Sequence, residues 1–472
     1  MNRRNFIQSS AAVGAAAALV NPFSLYAAAD FPVVRVAEDK RNFKSKAIEK
    51  AIKKFKKGVN NDELAWLFNN CFPNTLDTTV TYSTKNGRPD TYVITGDIDA
   101  MWLRDSVAQV WPYMKFIDQD KDLQHLIAGV INRQTSYILK DPYANAFYDD
   151  PNKKGEWFSD HTDMQPGVHE RKYEIDSLCY PIRLAYNYWK SSGDASPFDE
   201  NWKKAVKLIL KTFKEQQRKE DLGPYSFQRT THKGTDTLPM KGYGYPVKPV
   251  GLICSMFRPS DDATVYAYLV PSNFFAVVSL RQAAEMFTAL FNDNTTASEL
   301  NALADEVEAA LKKYAIIDHP KYGKIYAFEV DGFGSYNLMD DANIPSLLSL
   351  PYLDAVDIND PIYQNTRKYA WSEDNPFFFK GTAAEGIGGP HVDRDMIWPM
   401  SIIMKGLTST DKEEIKWCIK TLQETHGDTG FMHETFHKND PKNFTRSWFA
   451  WANTLFGEFL YKTFEESPEL LS

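Results

Sequence analysis

The residues best suited to chemistry fall in polar segments, most of them containing glycine, each set just before a run of apolar residues. They are Thr95-Gly-Asp-Ile-Asp-Ala-Met-Trp-Leu-Arg-Asp-Ser106, His169-Glu-Arg-Lys-Tyr-Glu-Ile-Asp176, Phe257-Arg-Pro-Ser-Asp-Asp262 and Asp340-Asp-Ala-Asn343. Two more are Gly386-Ile-Gly-Gly-Pro-His-Val-Asp-Arg-Asp395 and Gly430-Phe-Met-His-Glu-Thr-Phe-His437, the last running on to Arg446-Ser-Trp448. Brought together, they would form a pocket of carboxylates, Trp and Arg with no thiolate cluster. Such a pocket suits glycoside hydrolysis, in which one carboxylic acid protonates the leaving oxygen and one carboxylate activates water or attacks carbon. Trp and Tyr stack on pyranose faces, and Arg or Asp binds hydroxyls. Asp105 or Ser106, Asp176 and Asp395 also fit as helix N-caps. That role does not explain Trp102, Arg104 and His391 beside them.

Three other chemistries compete for the same residues. His433-Glu434-Thr435-Phe436-His437 matches H-E-x-x-H, the pattern that puts two zinc-binding His on one helix face with a Glu beside the bound water. Turn formers flank it on both sides, Gly427-Asp-Thr-Gly430 and Lys438-Asn-Asp-Pro441, and no third ligand is evident. A zinc metallopeptidase is therefore the alternative reading. Asp97-Ile98-Asp99 matches a short D-x-D, but the flanking pattern is wrong for a nucleotide-binding α/β sheet. Gly388-Gly389 lacks the Lys and the spacing of a phosphate-binding loop.

These segments need elements to hold them, and the apolar runs supply them. Two helix types alternate along the chain. One is apolar nearly all round and must be buried; the other is amphipathic and can lie at the surface. The pairs are 104–118 with 121–139, 174–190 with 201–218, 271–291 with 297–313, 341–350 with 361–370, and 394–407 with 411–424. A last buried helix, 447–463, closes on the amphipathic 43–57. Six pairs of buried and surface helices predict an all-α (α/α)6 toroid, with the N-termini of the inner ring opening on one face. That arrangement makes the polar segments converge, and loops before helices also offer free N–H groups to ligand oxygens. A few rim strands are expected: Thr78–Ser83 and Thr91–Thr95 around Asn86-Gly87 as a hairpin, and Lys324–Val330.

A chain of 472 residues suggests three domains at about 150 residues each. From residue 40 onward, however, no Gly/Ser linker, charge block or low-complexity stretch marks a boundary, so 30–472 reads as one domain. Residues 1–29 read as an export signal: Arg3-Arg4-Asn5-Phe6, a short apolar run from Ala11 to Val20, then Ala27-Ala28-Ala29 as a cleavage site. The destination this implies is the periplasm. No later stretch approaches 18 uninterrupted apolar residues, so stable membrane insertion is not expected. With 54 Lys+Arg against 62 Asp+Glu, a broad footprint for nucleic acid is not expected either. Hydrophobic residues at 43% and charged residues at 25% exclude a disordered or fibrous protein. Aromatic residues reach 14%, enough for both core filling and sugar stacking. Cys71, Cys179, Cys254 and Cys418 form no C-x-x-C and read as small buried apolar residues.

The segment Thr95–Ser106, with Phe257-Arg-Pro-Ser-Asp-Asp262 and Gly430-Phe-Met-His-Glu434, resembles glycoside hydrolase family 125. These are bacterial exo-α-1,6-mannosidases of (α/α)6 fold, and the likeness runs from about residue 40 to the end. The resemblance implies hydrolysis without metal or other cofactor, with inversion, releasing terminal mannose from an oligosaccharide or glycan. It places the general acid in Arg258-Pro-Ser-Asp-Asp262, assigned to Asp261 with Asp262 as the adjacent alternative, and the general base on Glu434. Asp261 then needs a raised pKa to be protonated at working pH. The two carboxyls are expected about 6.5–9.5 Å apart. Asp97, Asp99, Trp102, Arg104, Asp105, Asp262, His391, Arg394 and Arg446 are the candidates for the sugar pocket. A non-catalytic mannoside-binding protein is the remaining alternative; the oligomeric state stays open.

Overall fold

Helix starts divide this fold into two rings. In the computed structural model, which describes residues 31–472, the helices are α1 Lys46–Gly58, α2 Asp62–Cys71, α3 Asn74–Thr78, α4 Leu103–Val110, α5 Lys121–Lys140, α6 Ile175–Ser192 and α7 Glu200–Gln216. They continue as α8 Val270–Phe291, α9 Asn294–Tyr314, α10 Pro361–Ala370, α11 Pro399–Leu407, α12 Lys412–Glu424 and α13 Ala450–Glu466. The expected export signal, 1–29, lies outside the described residues. Helices α1, α2, α5, α7, α9, α10 and α12 are each capped by a side chain that accepts from a first-turn N–H: Ser45, Asn61, Asp120, Asp199, Asp293, Asp360 and Asp411. Apart from α2, of which only Asp62 is exposed, their apolar stripe faces inward and their polar face meets water, so a local cap is what fixes where they start. Helices α4, α6, α8, α11 and α13 begin instead at Trp102, Glu174, Leu269, Trp398 and Phe449, none of which makes a side-chain cap. These are the inner helices of the (α/α)6 toroid. Their first-turn N–H groups carry no side-chain cap of the usual kind. Asp105 and Asp176 therefore lie inside the first turn of α4 and α6 rather than at the cap, and Asp395 precedes α11 by several residues.

Rim strands hold several of the inner starts in place. Met101–Trp102 pairs with Ala146–Phe147, which pairs with Val168–Glu170. Tyr268–Leu269 pairs with Glu329–Val330, and Met396–Ile397 pairs with Thr435–His437. The expected hairpin is Val80–Lys85 against Arg88–Val93. Asn86 and Gly87 have φ of 52° and 77°, the left-handed pair that a two-residue turn needs. Lys324–Val330 is not one strand: Gly323–Tyr326 and Glu329–Val330 belong to different sheets.

Three other expectations change. The 341–350 segment is not a helix. Pro345 and Pro351 have no N–H to donate, and the Asp340 carboxylate takes the Leu347 and Leu348 N–H groups at 2.8 and 3.0 Å. The segment still fills the inner-ring position, since Tyr180 of α6 donates to Ile344 O at 3.0 Å and Tyr363 of α10 to Leu348 O at 2.9 Å. The 104–118 helix becomes α4 followed by a tighter 3-10 turn, Trp111–Phe116, around Pro112. Helix α11 starts at Pro399, a residue suited to a first helical position, because Met396 and Ile397 are drawn into a strand.

The core runs between the rings without a break. Where α13 closes the toroid, Phe55 of α1 meets Phe464 with ring centres 5.2 Å apart. Phe68 of α2 and the following Phe72 stack on Tyr461 at 6.1 and 6.0 Å. Gly406 of α11 gives α13 a close approach, since a Cβ there would sit 2.3 Å from Phe459. All four cysteines are buried and unpaired. Helix α8 alone among the described helices is long and apolar enough to cross a membrane. Here it is an inner helix, with Tyr180 edge-on to its Phe275 at 5.0 Å.

Candidate active site

A cavity of about 270 Å³ opens where the inner helices begin. The N-cap residues of three of them, Trp102, Trp398 and Phe449, form its walls with Trp451. Trp102 Nε1 and Trp398 Nε1 are buried and have no hydrogen-bond partner. Buried donors are nearly always satisfied in native proteins, so these two, on residues that line the cavity, are exceptions.

Arg104, in the first turn of α4, is the electrostatic centre. It is 3% exposed and faces four carboxylates. Nη1 donates to Glu174 at 2.5 Å and to Asp176 at 3.2 Å, Nη2 donates to Asp261 at 3.1 Å, and Nε lies 3.3 Å from Asp105. Burial pushes Asp105 and Asp176 up to about 6 in spite of Arg104. Asp261 sits in a loop tightened by Asp261 N donating to Arg258 O and Arg258 N to Asp262 O, both at 2.8 Å. Its φ of 64° is left-handed, a conformation that Asp tolerates better than most residues. Asn145 Nδ2 also donates to Asp261 Oδ1, at 3.2 Å. Burial would raise the Asp261 pKa, but Arg104 first, then a hydrogen bond from Glu174, then Lys172 and His391 hold it well below the usual carboxylate range. In the unliganded site this reverses the expectation of a raised Asp261 pKa.

Glu434 faces the same cavity from the turn before Thr435–His437. Arg446 Nη1 stands 3.5 Å from its Oε1, and Arg446 Nη2 donates to Thr95 O at 3.0 Å and to Asp97. Asp97, Trp102, Arg104, Asp105, Asp261, His391, Glu434 and Arg446 thus line one cavity. Three other expected residues do not. Asp262 is 1% exposed and lies behind it, 3.1 Å from the donating Ser260 hydroxyl and 3.5 Å from His391 Nδ1. Against burial, His391 holds Asp262 at about 2. Asp99 points to solvent and pairs with Lys153 at 2.8 Å. Arg394 is exposed and is not among the lining residues.

The H-E-x-x-H segment is not helical. Thr435–His437 is a strand, so the two His do not share a helix face. His433 stacks on Phe444 with ring centres 3.9 Å apart, and its nitrogens face Ser447 O and His426 O at 3.0 and 3.1 Å. Among the described residues no group of three or more His, Cys, Asp or Glu is arranged to hold a metal. The zinc reading falls on geometry.

The sequence reading passes over Trp398 and Trp451 as lining residues and Asn145 behind them, and it includes Asn343, Ser260 and Glu174 in its polar segments without singling them out. Trp398 was findable: like Trp102, it is a Trp directly before a buried helix. Asn145 carries no local signal, because its role depends on a strand pairing between segments far apart in the chain.

Convergent carboxylates and aromatic walls at the inner helix starts of an (α/α)6 toroid define a glycoside hydrolase. A family model for metal-independent alpha-mannosidase (GH125) matches residues 61–461, and the chain belongs to that family. The meiotically up-regulated gene 157 protein of Schizosaccharomyces pombe is 42% identical over 458 residues, covering 93% of this chain and 90% of its own. A Streptococcus pneumoniae structure, described as a metal-independent alpha mannosidase in a non-productive complex with alpha-1,6-mannobiose, is 42% identical with a TM-score of 0.86. It covers 90% of this chain and 100% of its own. A bacterial glucoamylase complexed with acarbose shares the fold alone, at 12% identity and a TM-score of 0.54, over 89% of this chain and 59% of its own. A model of twin-arginine translocation signal sequences matches residues 1–20, which supports export.

Proposed function

We propose that this mannosidase is exo-acting and removes terminal α-1,6-linked mannose from oligosaccharides or glycans with inversion, Asp261 serving as general acid and Glu434 as general base. Residues 30–472 form its catalytic domain behind an export signal at 1–29, and it works in the periplasm. One observation carries the reading: Asp261 and Glu434 face a single small cavity whose walls include Trp102, Trp398, Trp451, Arg104 and Arg446. About 270 Å³ is at the low end for a small-molecule site, which suits one terminal sugar rather than a chain passing through. The relative solved with alpha-1,6-mannobiose supports the linkage.

In this reading the sugar stacks against Trp102 and Trp398, with their indole N–H groups and Arg104, Asp105, Asp97, His391 and Arg446 taking its hydroxyls. Asp261 gives a proton to the glycosidic oxygen as the bond to the anomeric carbon breaks. Glu434, oriented by Arg446, draws a proton from water attacking the opposite face, which yields β-mannose. No step calls for a metal. Asp262 supports His391 from behind, and Asp99 and Arg394 have no part in this scheme.

The test is incubation of the purified protein with α-1,6-, α-1,3- and α-1,2-mannobiose in the presence of EDTA. Mannose release from the α-1,6 isomer, unaffected by chelator, is expected. Binding without cleavage would make it a mannoside-binding protein, and preference for another isomer would overturn the linkage.

A further inference from the structure

Glu174 is the buried carboxyl that the scheme above leaves without a task. Its side chain is wholly buried, it begins α6 without capping it, and the Arg104 guanidinium and the Asn145 amide each contact both it and the Asp261 carboxylate. Two carboxyl groups held side by side in a buried site favour a state in which one of them carries a proton. Glu174 Oε2 already accepts from Arg104 Nη1 at 2.5 Å and from the Ser177 hydroxyl at 2.8 Å, which leaves Oε1 to carry it. Asn145 Nδ2 lies between the two groups, 3.4 Å from Glu174 Oε1 and 3.2 Å from Asp261 Oδ1. Its amide is fixed in that sense because Asn145 Oδ1 accepts from Lys172 N at 3.1 Å.

We infer that Glu174 is a positioning residue that holds the proton Asp261 delivers to the leaving oxygen. The inference rests on the hydrolase reading above. Asp261 next to Arg104 is by itself a poor acid, since a cation at 3.1 Å favours the charged carboxylate. The groups around Glu174 carry a surplus of negative charge. Arg104 and Asp105 come from α4, Asp176 from α6, Glu170 and Lys172 from the segment before α6, and Asp261 from the acid loop, with His391 facing it. Like charges this close cannot all be ionised together, so the cluster keeps a proton. Burial, only partly offset by Arg104, and the neighbouring Asp261 and Asp176 push the Glu174 pKa well up, which puts that proton on Glu174. In turnover the Glu174 proton passes to Asp261 and from Asp261 to the glycosidic oxygen, which leaves both carboxyls ionised. Glu434 releases the proton taken from water to solvent, and the pair takes one back.

Glu174→Gln keeps the shape and removes the transferable proton. On α-1,6-mannobiose at neutral pH its kcat should fall about tenfold or more, with the alkaline limb of kcat/KM moved down by about one pH unit or more. On 2,4-dinitrophenyl α-mannoside, whose leaving group needs no proton, the loss should stay within about threefold. Glu174→Asp should return the limb part of the way. The infrared difference spectrum of wild type minus Glu174→Gln at neutral pH should show one neutral-carboxyl band. Equal losses on both substrates with an unmoved limb, or no such band in the difference spectrum, would overturn the inference. If the wild type cleaves neither substrate, the hydrolase reading fails, and the infrared comparison still reports where the proton sits.

Discussion

Arg446 links the Glu434 carboxylate to the Thr95 carbonyl of the cavity lining: Nη1 stands 3.5 Å from Glu434 Oε1 while Nη2 donates to Thr95 O at 3.0 Å. Arg446 itself has φ 47°, a backbone conformation kept only where surrounding contacts enforce it. A planar guanidinium holds its two partners through separate nitrogens in a fixed fork, which a single ammonium nitrogen does not reproduce. Arg446→Lys should therefore lower kcat on α-1,6-mannobiose about tenfold or more through misplacement of the base, with a melting temperature close to wild type. Steady-state kinetics beside a thermal melt checks this.

The unpartnered Trp102 and Trp398 indole N–H groups give a second prediction. If each waits for a sugar oxygen, Trp102→Phe and Trp398→Phe each lose about 0.5–1.5 kcal/mol of binding, a few-fold in affinity. The free protein loses no hydrogen bond, so its melting temperature should stay within a few degrees of wild type. Calorimetric titration with mannose, paired with thermal melts, separates the two effects.

These two tryptophans also show what was legible in the sequence. The alternation of buried and surface helices depends on side-chain periodicity alone, so α1, α5 to α10, α12 and α13 were visible from their apolar spacing. The 341–350 segment misled because buried Leu at near-helical spacing looks the same in a helix and in a packed turn. Only the pairing of Asp340 with the Leu347 and Leu348 N–H groups decides between them. Helix α2 was missed although Asn61 caps it and Leu64, Leu67, Phe68 and Cys71 repeat at helical spacing. In the site, motifs next to inner helices were found. What stayed hidden was Asn145, the pairing of Glu174 with Arg104, and with them the reversal of the Asp261 pKa. Those depend on contacts between segments far apart in the chain, which no local pattern records.

A third prediction concerns pH. His391 and Asp262 face each other at 3.5 Å. Burial opposes both charges, but Asp262 raises the His391 pKa and His391 holds Asp262 at about 2. A raised His pKa contributes stability fully below about pH 6.5 and loses it as pH rises through the folded value. A lowered Asp pKa contributes above about pH 4 and loses it as pH falls toward 2. The melting-temperature difference between wild type and His391→Gln should be widest between about pH 4 and 6.5 and narrow on both sides. A difference that does not vary with pH would contradict the pairing. The His391 ring is about a third exposed, so the effect should be small.

Asp120 makes the fourth prediction, on the outer ring. It caps α5 by accepting from Asp122 and Leu123 N–H, and it also accepts from the Ser45 hydroxyl at 2.7 Å and Ala47 N at 3.2 Å. One carboxylate thus ties the starts of α1 and α5 together. Asp120→Ala should cost about 1–2 kcal/mol, more than a cap serving one helix alone. Turnover should be unchanged, since Asp120 does not line the cavity. Urea denaturation with an activity assay tests both halves.

The central claim is that Asp261 and Glu434 act from opposite sides of one sugar in a single displacement. The direct measurement is a proton-NMR time course of α-1,6-mannobiose hydrolysis, reading the anomeric proton of released mannose before mutarotation. The account predicts that β-mannose appears first. First appearance of α-mannose would contradict it.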